Sequence, residues 1–117
     1  MAMMSVLTQS PFESYNSTYF ANVGASSITK LGRTVELNIS MTPTTILPTN
    51  TTILTLPIGY RPAYGGVKYF VARSLNDALT TRLLQVDSSG AIKFVDNNGS
   101  VPVGAVLDGY VSFITTQ

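Results

Sequence analysis

Val35-Glu36-Leu37-Asn38-Ile39-Ser40-Met41 is the stretch that decides the fold class of this chain. Apolar and polar residues alternate over all seven positions. Successive strand side chains point to opposite faces, so this pattern buries one face of a β-strand and wets the other. Upstream, Gly32-Arg33 reads as a tight turn, with Ile28 and Lys30 flanking a short extended run before it. Downstream, Pro43 stops the strand, and Thr44 to Asn50 forms a connecting loop with a second proline at Pro48. Thr51 to Leu56 is again β-rich and feeds into Leu56-Pro57-Ile58-Gly59-Tyr60-Arg61-Pro62. Two prolines with a glycine between them fit neither a helix nor an internal strand. Pro57 fixes its own φ, Gly59 tolerates a positive φ, and Pro62 biases Arg61 towards an extended shape. The segment is a rigid corner through which a chain leaves one sheet and enters another.

Further along, Val67 to Ser74 carries Tyr69 and Val71 on one face and Phe70 and Ala72 on the other. Apolar residues on both faces predict burial on both sides, as in a sandwich interior or at a subunit contact. Leu75 to Leu79 breaks the strand. Thr81 to Val86, Asp87-Ser88-Ser89-Gly90 and Ala91 to Val95 read as strand, turn, strand, with Asp opening the turn and Gly closing it at positive φ. Asp96-Asn97-Asn98-Gly99 repeats that turn chemistry. Val101 to Val106 holds Pro102 and is an edge or loop, and Leu107 to Thr115 is a closing strand interrupted at Asp108-Gly109. Short strands separated by turn signals, with no convincing helix, predict an all-β antiparallel sandwich or barrel. Residues 1–26 are less regular. Pro11, Phe12, Tyr15, Tyr19 and Phe20 lie among Ser, Thr and Asn, as an arm packed on the body or a neighbour, or as an irregular first strand. Residues 27–117 form the main domain.

The 117 residues suffice for one domain with a modest core. Only 11% are charged, and seven basic residues against six acidic ones give no basic face for nucleic acid. The chain has no cysteine and no histidine. That excludes disulfides, thiolate chemistry, and the commonest general base and metal ligand. Its acidic residues show no metal-ligand spacing, so neither a metal nor a cofactor is expected. The N-terminus lacks the basic and apolar regions of a signal peptide, and no apolar run reaches the ~18 residues of a membrane span. The Asn-x-Ser/Thr triplets at Asn16, Asn38, Asn50 and Asn98 are by-products of a Ser/Thr/Asn-rich chain. Such a polar, weakly charged surface suits neutral polar ligands such as sugars.

Four ordered motifs carry a family resemblance over residues 27 to 115. Ile28-Thr29-Lys30-Leu31-Gly32 followed by Val35-Glu36-Leu37 resembles the opening of phage tail-fibre and baseplate tip domains. The Leu56 to Pro62 corner, the paired strands Leu84 to Gly90 and Ile92 to Phe94, and the closing Leu107 to Phe113 follow in the same order. The resemblance is to the C-terminal heads of receptor-binding proteins of siphophages infecting Gram-positive bacteria. It implies a jelly-roll-like antiparallel β-sandwich, a homotrimer, non-covalent binding of cell-wall or surface saccharides, and contact with other tail or baseplate proteins. It also implies a place at the tip of the virion tail, after synthesis in the host cytoplasm. The long N-terminal stalk or collagen-like region that joins such heads to the particle does not precede these residues, so the resemblance implies either the head alone or a small independent accessory protein.

Tyr64, Tyr69, Arg73, Asn76 and Asp77 are the candidate saccharide-binding residues, because tyrosine rings stack on sugars while Arg, Asn and Asp exchange hydrogen bonds with vicinal hydroxyls. The competing reading makes Tyr69 core, Arg73 a trimer contact and Asn76-Asp77 a turn. Arg82 and Gln85 are weaker candidates. Pro57, Gly59, Tyr60, Arg61 and Pro62 are structural, with Arg61 holding the corner through carbonyls. Catalysis is not expected: no carboxylate pair stands in a glycosidase motif, and Ser27-Ile28-Thr29-Lys30 has serine–lysine spacing on a strand rather than the helix that chemistry needs. Two functions stay open, a saccharide-binding adhesion head and a structural tail component that docks other proteins.

Overall fold

The computed structural model describes residues 12–63, 66–77, 81–95 and 99–115. Eight strands cover them: β1 (Ser14–Tyr15), β2 (Ser27–Leu31), β3 (Thr34–Met41), β4 (Thr51–Thr55), β5 (Val67–Leu75), β6 (Thr81–Asp87), β7 (Ala91–Phe94) and β8 (Val106–Ile114). All pair antiparallel in one sheet, in the order β1-β4-β7-β6-β5-β8-β3-β2. The fold is all-β and antiparallel, as expected from the alternation. Its hydrogen-bond ladder runs unbroken from one edge to the other, and the sheet curls into a half-barrel around a single core.

The curl is seated at β5 and β8. Their ladder spans four pairs, Ala72–Gly109 to Leu75–Val106. Before Ala72, β5 pairs with β6 alone, and beyond Gly109, β8 pairs with β3 alone. The sheet therefore opens into two wings, and the concave side between them holds the core. Val35, Leu37, Ile39 and Met41 of β3 all point inward and are buried. Leu84, Val86, Ile92, Phe94 and Leu107 join them from the other strands. Burying each such side chain stabilises the fold by roughly 1.5–3 kcal/mol. On β4 the adjacent Ile53 and Leu54 are both buried, because the β4–β7 register shifts at a bulge between Thr52 and Leu54.

Three expectations need correction. The Leu56 to Pro62 corner does not carry the chain from one sheet into another, because β4 and β5 belong to the same eight-stranded sheet. β8 is not interrupted at Asp108-Gly109; it runs continuously through the pair. Gly109 marks a close approach instead, since a β-carbon there would lie 3.1 Å from the Ala72 β-carbon and 3.5 Å from the Phe70 ring. Within a single chain β5 is not buried on both sides either, which rules out a sandwich interior and leaves the subunit-contact alternative standing. Phe70, Ala72 and Ser74 are buried, whereas Tyr69 and Val71 are 62% and 59% exposed.

The first described segment is part of the body. Phe12 and Phe20 belong to the core, β1 pairs with β4, and Phe20 bridges to Pro43.

The corner after β4 spans the gap between the wings. The Tyr60 N–H donates to the Pro57 carbonyl at 3.1 Å, and Gly59 takes φ +97° at the position where such a turn requires a positive value. On one side the Leu56 N–H reaches the Gly90 carbonyl at 2.8 Å. On the other, Pro62 bridges to Thr115 and the Ala63 N–H donates to the Ile114 carbonyl at 2.9 Å. Lys30 Nζ donates to the Gly59 carbonyl at 2.8 Å while lying 5.3 Å over the Tyr60 ring. Arg61 holds the corner as its position suggests, its Nε donating to the Leu56 carbonyl at 2.8 Å. Its Nη2 also meets Glu13 at 3.1 Å, which ties the first segment to the corner.

Candidate recognition surface

The odd-numbered residues of β5 face outward, and each sits in register with a neighbour. Val67 is opposite Asp87, Tyr69 opposite Gln85, Val71 opposite Leu83 and Arg73 opposite Thr81 on β6. Gln85 continues to Lys93 on β7. On the other side Arg73 is opposite Asp108 and Leu75 opposite Val106 on β8. Val67, Tyr69, Val71, Leu75 and Leu83 are all among the exposed large apolar residues. The stripe is contiguous along the two central strands of the sheet rather than scattered over the surface. Arg73 stands within the stripe, and the other charges, Asp87, Lys93 and Asp108, lie on the neighbouring strands at its margin. Among the described residues the ion pairs are Arg61–Glu13 and Arg82–Asp77, so the Arg73 guanidinium forms none.

Of the candidate residues, Tyr69 and Arg73 share this face, about 13 Å apart at four residues of strand rise. Asn76 is exposed at its end, in the turn after β5, with φ 63°, a left-handed conformation that asparagine tolerates better than most residues. Tyr64 lies outside the described residues.

Asp77 turns the other way, and its side chain is only 2% exposed. It forms a buried node with Arg82, whose side chain is likewise 2% exposed. Arg82 Nε donates to Asp77 Oδ2 at 2.9 Å and Nη2 to Oδ1 at 3.1 Å, while Ser74 Oγ donates to Oδ2 at 2.5 Å. The remaining Arg82 donors reach the carbonyls of Gly99 at 3.0 Å and Ser100 at 3.1 Å, and its guanidinium lies 5.8 Å from the Phe94 ring centre. The fork geometry of arginine suits such a shared site. Neither Asp77 nor Arg82 therefore presents a free group to a ligand. Together they fasten the segment after β5 to the one after β7. The sequence reading missed this node because Arg82 sits at an inward position of β6, which only the strand register reveals.

A concavity of about 620 Å³ lies beside β1, lined by Phe12, Glu13, Tyr15, Asn22 and Val23 among others. Three of its polar side chains are engaged internally: the Tyr15 hydroxyl donates to the Ala21 carbonyl at 3.0 Å, Asn22 Oδ1 accepts from Gly24 N–H at 2.7 Å, and Glu13 holds Arg61. Among the described residues no group of three acidic side chains is placed to bind a metal ion. The Asp87 carboxylate is taken by its own turn, accepting from Ser89 N–H at 2.9 Å. The chain matches no family model, and no curated protein matches it in sequence.

Proposed function

We propose that this chain is a non-catalytic adhesion head of a phage tail or baseplate tip. It binds neutral cell-wall or surface saccharides of a Gram-positive host through the outer face of β5 and β6. The observation that carries the reading is the pairing of an exposed Tyr69 ring with the Arg73 guanidinium and Gln85 amide on one open, weakly charged face. Tyrosine rings stack on the apolar faces of sugars, and arginine and glutamine donate to their hydroxyls. Asn76 extends the polar rim at one end. Asp77 has no part in the site, because its carboxylate is consumed by Arg82 and Ser74.

A structural tail or baseplate component that docks other proteins is the second reading. It is favoured by the aliphatic centre of the face, Val71 against Leu83, which suits a protein surface better than a sugar. Binding to a panel of Gram-positive cell-wall preparations and a glycan array separates the two. Saturable binding that free saccharide competes away supports the adhesion head; its absence from every preparation removes it. Adhesion does not depend on the homotrimer that the resemblance also implies, and particle mass in solution tests that assembly separately.

A further inference from the structure

The outward residues of β5 read Val67, Tyr69, Val71, Arg73, Leu75. About Val71 this series is self-complementary: an apolar residue sits four positions away on either side, and at two positions a ring on one side matches a guanidinium on the other. A twofold axis lying across the strands at Val71 sets two copies face to face with their β5 strands antiparallel. Val71 then meets its own counterpart, Tyr69 meets Arg73 of the other copy, and Val67 meets Leu75. The β6 neighbours follow the same symmetry. Leu83, in register with Val71, meets Leu83, and Gln85, in register with Tyr69, meets Thr81, in register with Arg73. No like charges are brought together along β5 and β6, and the arginine gains an aromatic face.

We infer that a second copy of this chain is the occupant of this face, forming an isologous dimer across the outer surfaces of β5 and β6. An isologous contact demands a surface that complements itself under a twofold, and the register supplies one. Its composition is that of an interface centre, with aliphatic residues, tyrosine and arginine inside, and Asp87, Lys93 and Asp108 outside. The inference uses the same face as the adhesion reading but does not rest on it. Where both hold, pairing and saccharide compete for Tyr69 and Arg73, and saccharide drives the dimer apart.

Single cysteines test the axis cleanly, because the chain has none of its own. Facing sheets lie about 10 Å apart, beyond the ~7 Å limit of a disulfide, so a bismaleimide spanning about 10 Å is the probe. Val71→Cys is expected to cross-link to itself. Tyr69→Cys and Arg73→Cys are each expected to cross-link poorly alone and efficiently when mixed. Sedimentation is expected to give twice the chain mass of 12.5 kDa. Val71→Arg, at an exposed position, is expected to weaken pairing by ~10-fold or more while leaving the unfolding of the dilute, unpaired chain unchanged. A single-chain or three-chain mass, or Tyr69→Cys that cross-links to itself as well as to Arg73→Cys, overturns the pairing. A monomer that binds saccharide sinks the dimer and leaves the adhesion head standing. A dimer that binds none does the reverse.

Discussion

Replacing Arg82 by methionine removes the charge from the buried node while keeping most of the side-chain volume. Three kinds of loss follow. The Asp77 carboxylate, whose side chain is 2% exposed, keeps only the Ser74 hydroxyl among the partners described above. The Gly99 and Ser100 carbonyls lose the donors that reach them at 3.0 and 3.1 Å. The guanidinium contact with Phe94 becomes an ordinary apolar one. Breaking one side of a buried pair costs about 3–5 kcal/mol, mostly from the charge left behind. A domain of this size has about 5–15 kcal/mol to lose. Since 1 kcal/mol moves the midpoint of a domain this long by about 3–5 °C, Arg82→Met is expected to lower Tm by roughly 10–20 °C. The double variant Asp77→Leu, Arg82→Met removes both charges and is expected to recover a large part of that loss. Differential scanning calorimetry with urea unfolding reads both variants. If Arg82→Met costs less than ~1 kcal/mol, or the two substitutions are additive, the node is not a strut and Asp77 returns as a candidate ligand group.

Four further outcomes follow from the corner and the open face. Gly90→Ala is expected to cost about 2–4 kcal/mol in urea unfolding: φ is +88°, and the added β-carbon falls 2.5 Å from Arg61 Nε and 2.7 Å from the Leu56 carbonyl oxygen. Glu13→Gln is expected to cost less than ~1 kcal/mol because its pair with Arg61 is solvent-exposed. Arg61→Leu is expected to cost more than Glu13→Gln in the same assay, since it also strips the Leu56 carbonyl of its donor. Tyr69→Ala is expected to leave stability within ~0.5 kcal/mol of the parent, as befits an exposed strand position, so any loss of binding is read directly.

The sequence reading succeeded where one local signal was sufficient. Val35 to Met41 alternates without exception, and all four apolar members are buried. The Asp87–Gly90 turn forms with the side-chain acceptor and positive φ that its residues specify. What stayed hidden depended on contacts between distant residues. Val71 is apolar and exposed, Arg82 is charged and buried, and Gly109 is a packing position rather than a break. Each inverts a reliable local rule, and each is set by strand register. Asp77 was singled out for its chemistry beside Asn76, but a neighbour five residues away takes that chemistry inward. The self-complementary order of outward residues on β5 was present in the sequence. Only the strand register shows that these residues share one open face.

If recognition runs through the outer face of β5 and β6, the core and the Arg82 node only hold that face in shape. Binding of cell-wall saccharide fragments to the parent chain, to Tyr69→Ala with Arg73→Ala, and to Thr29→Ala on β2 tests it most directly. Saturable binding is expected of the parent and of Thr29→Ala, with a loss of at least ~10-fold in affinity for the folded double variant. A folded double variant that binds as tightly as the parent would contradict it.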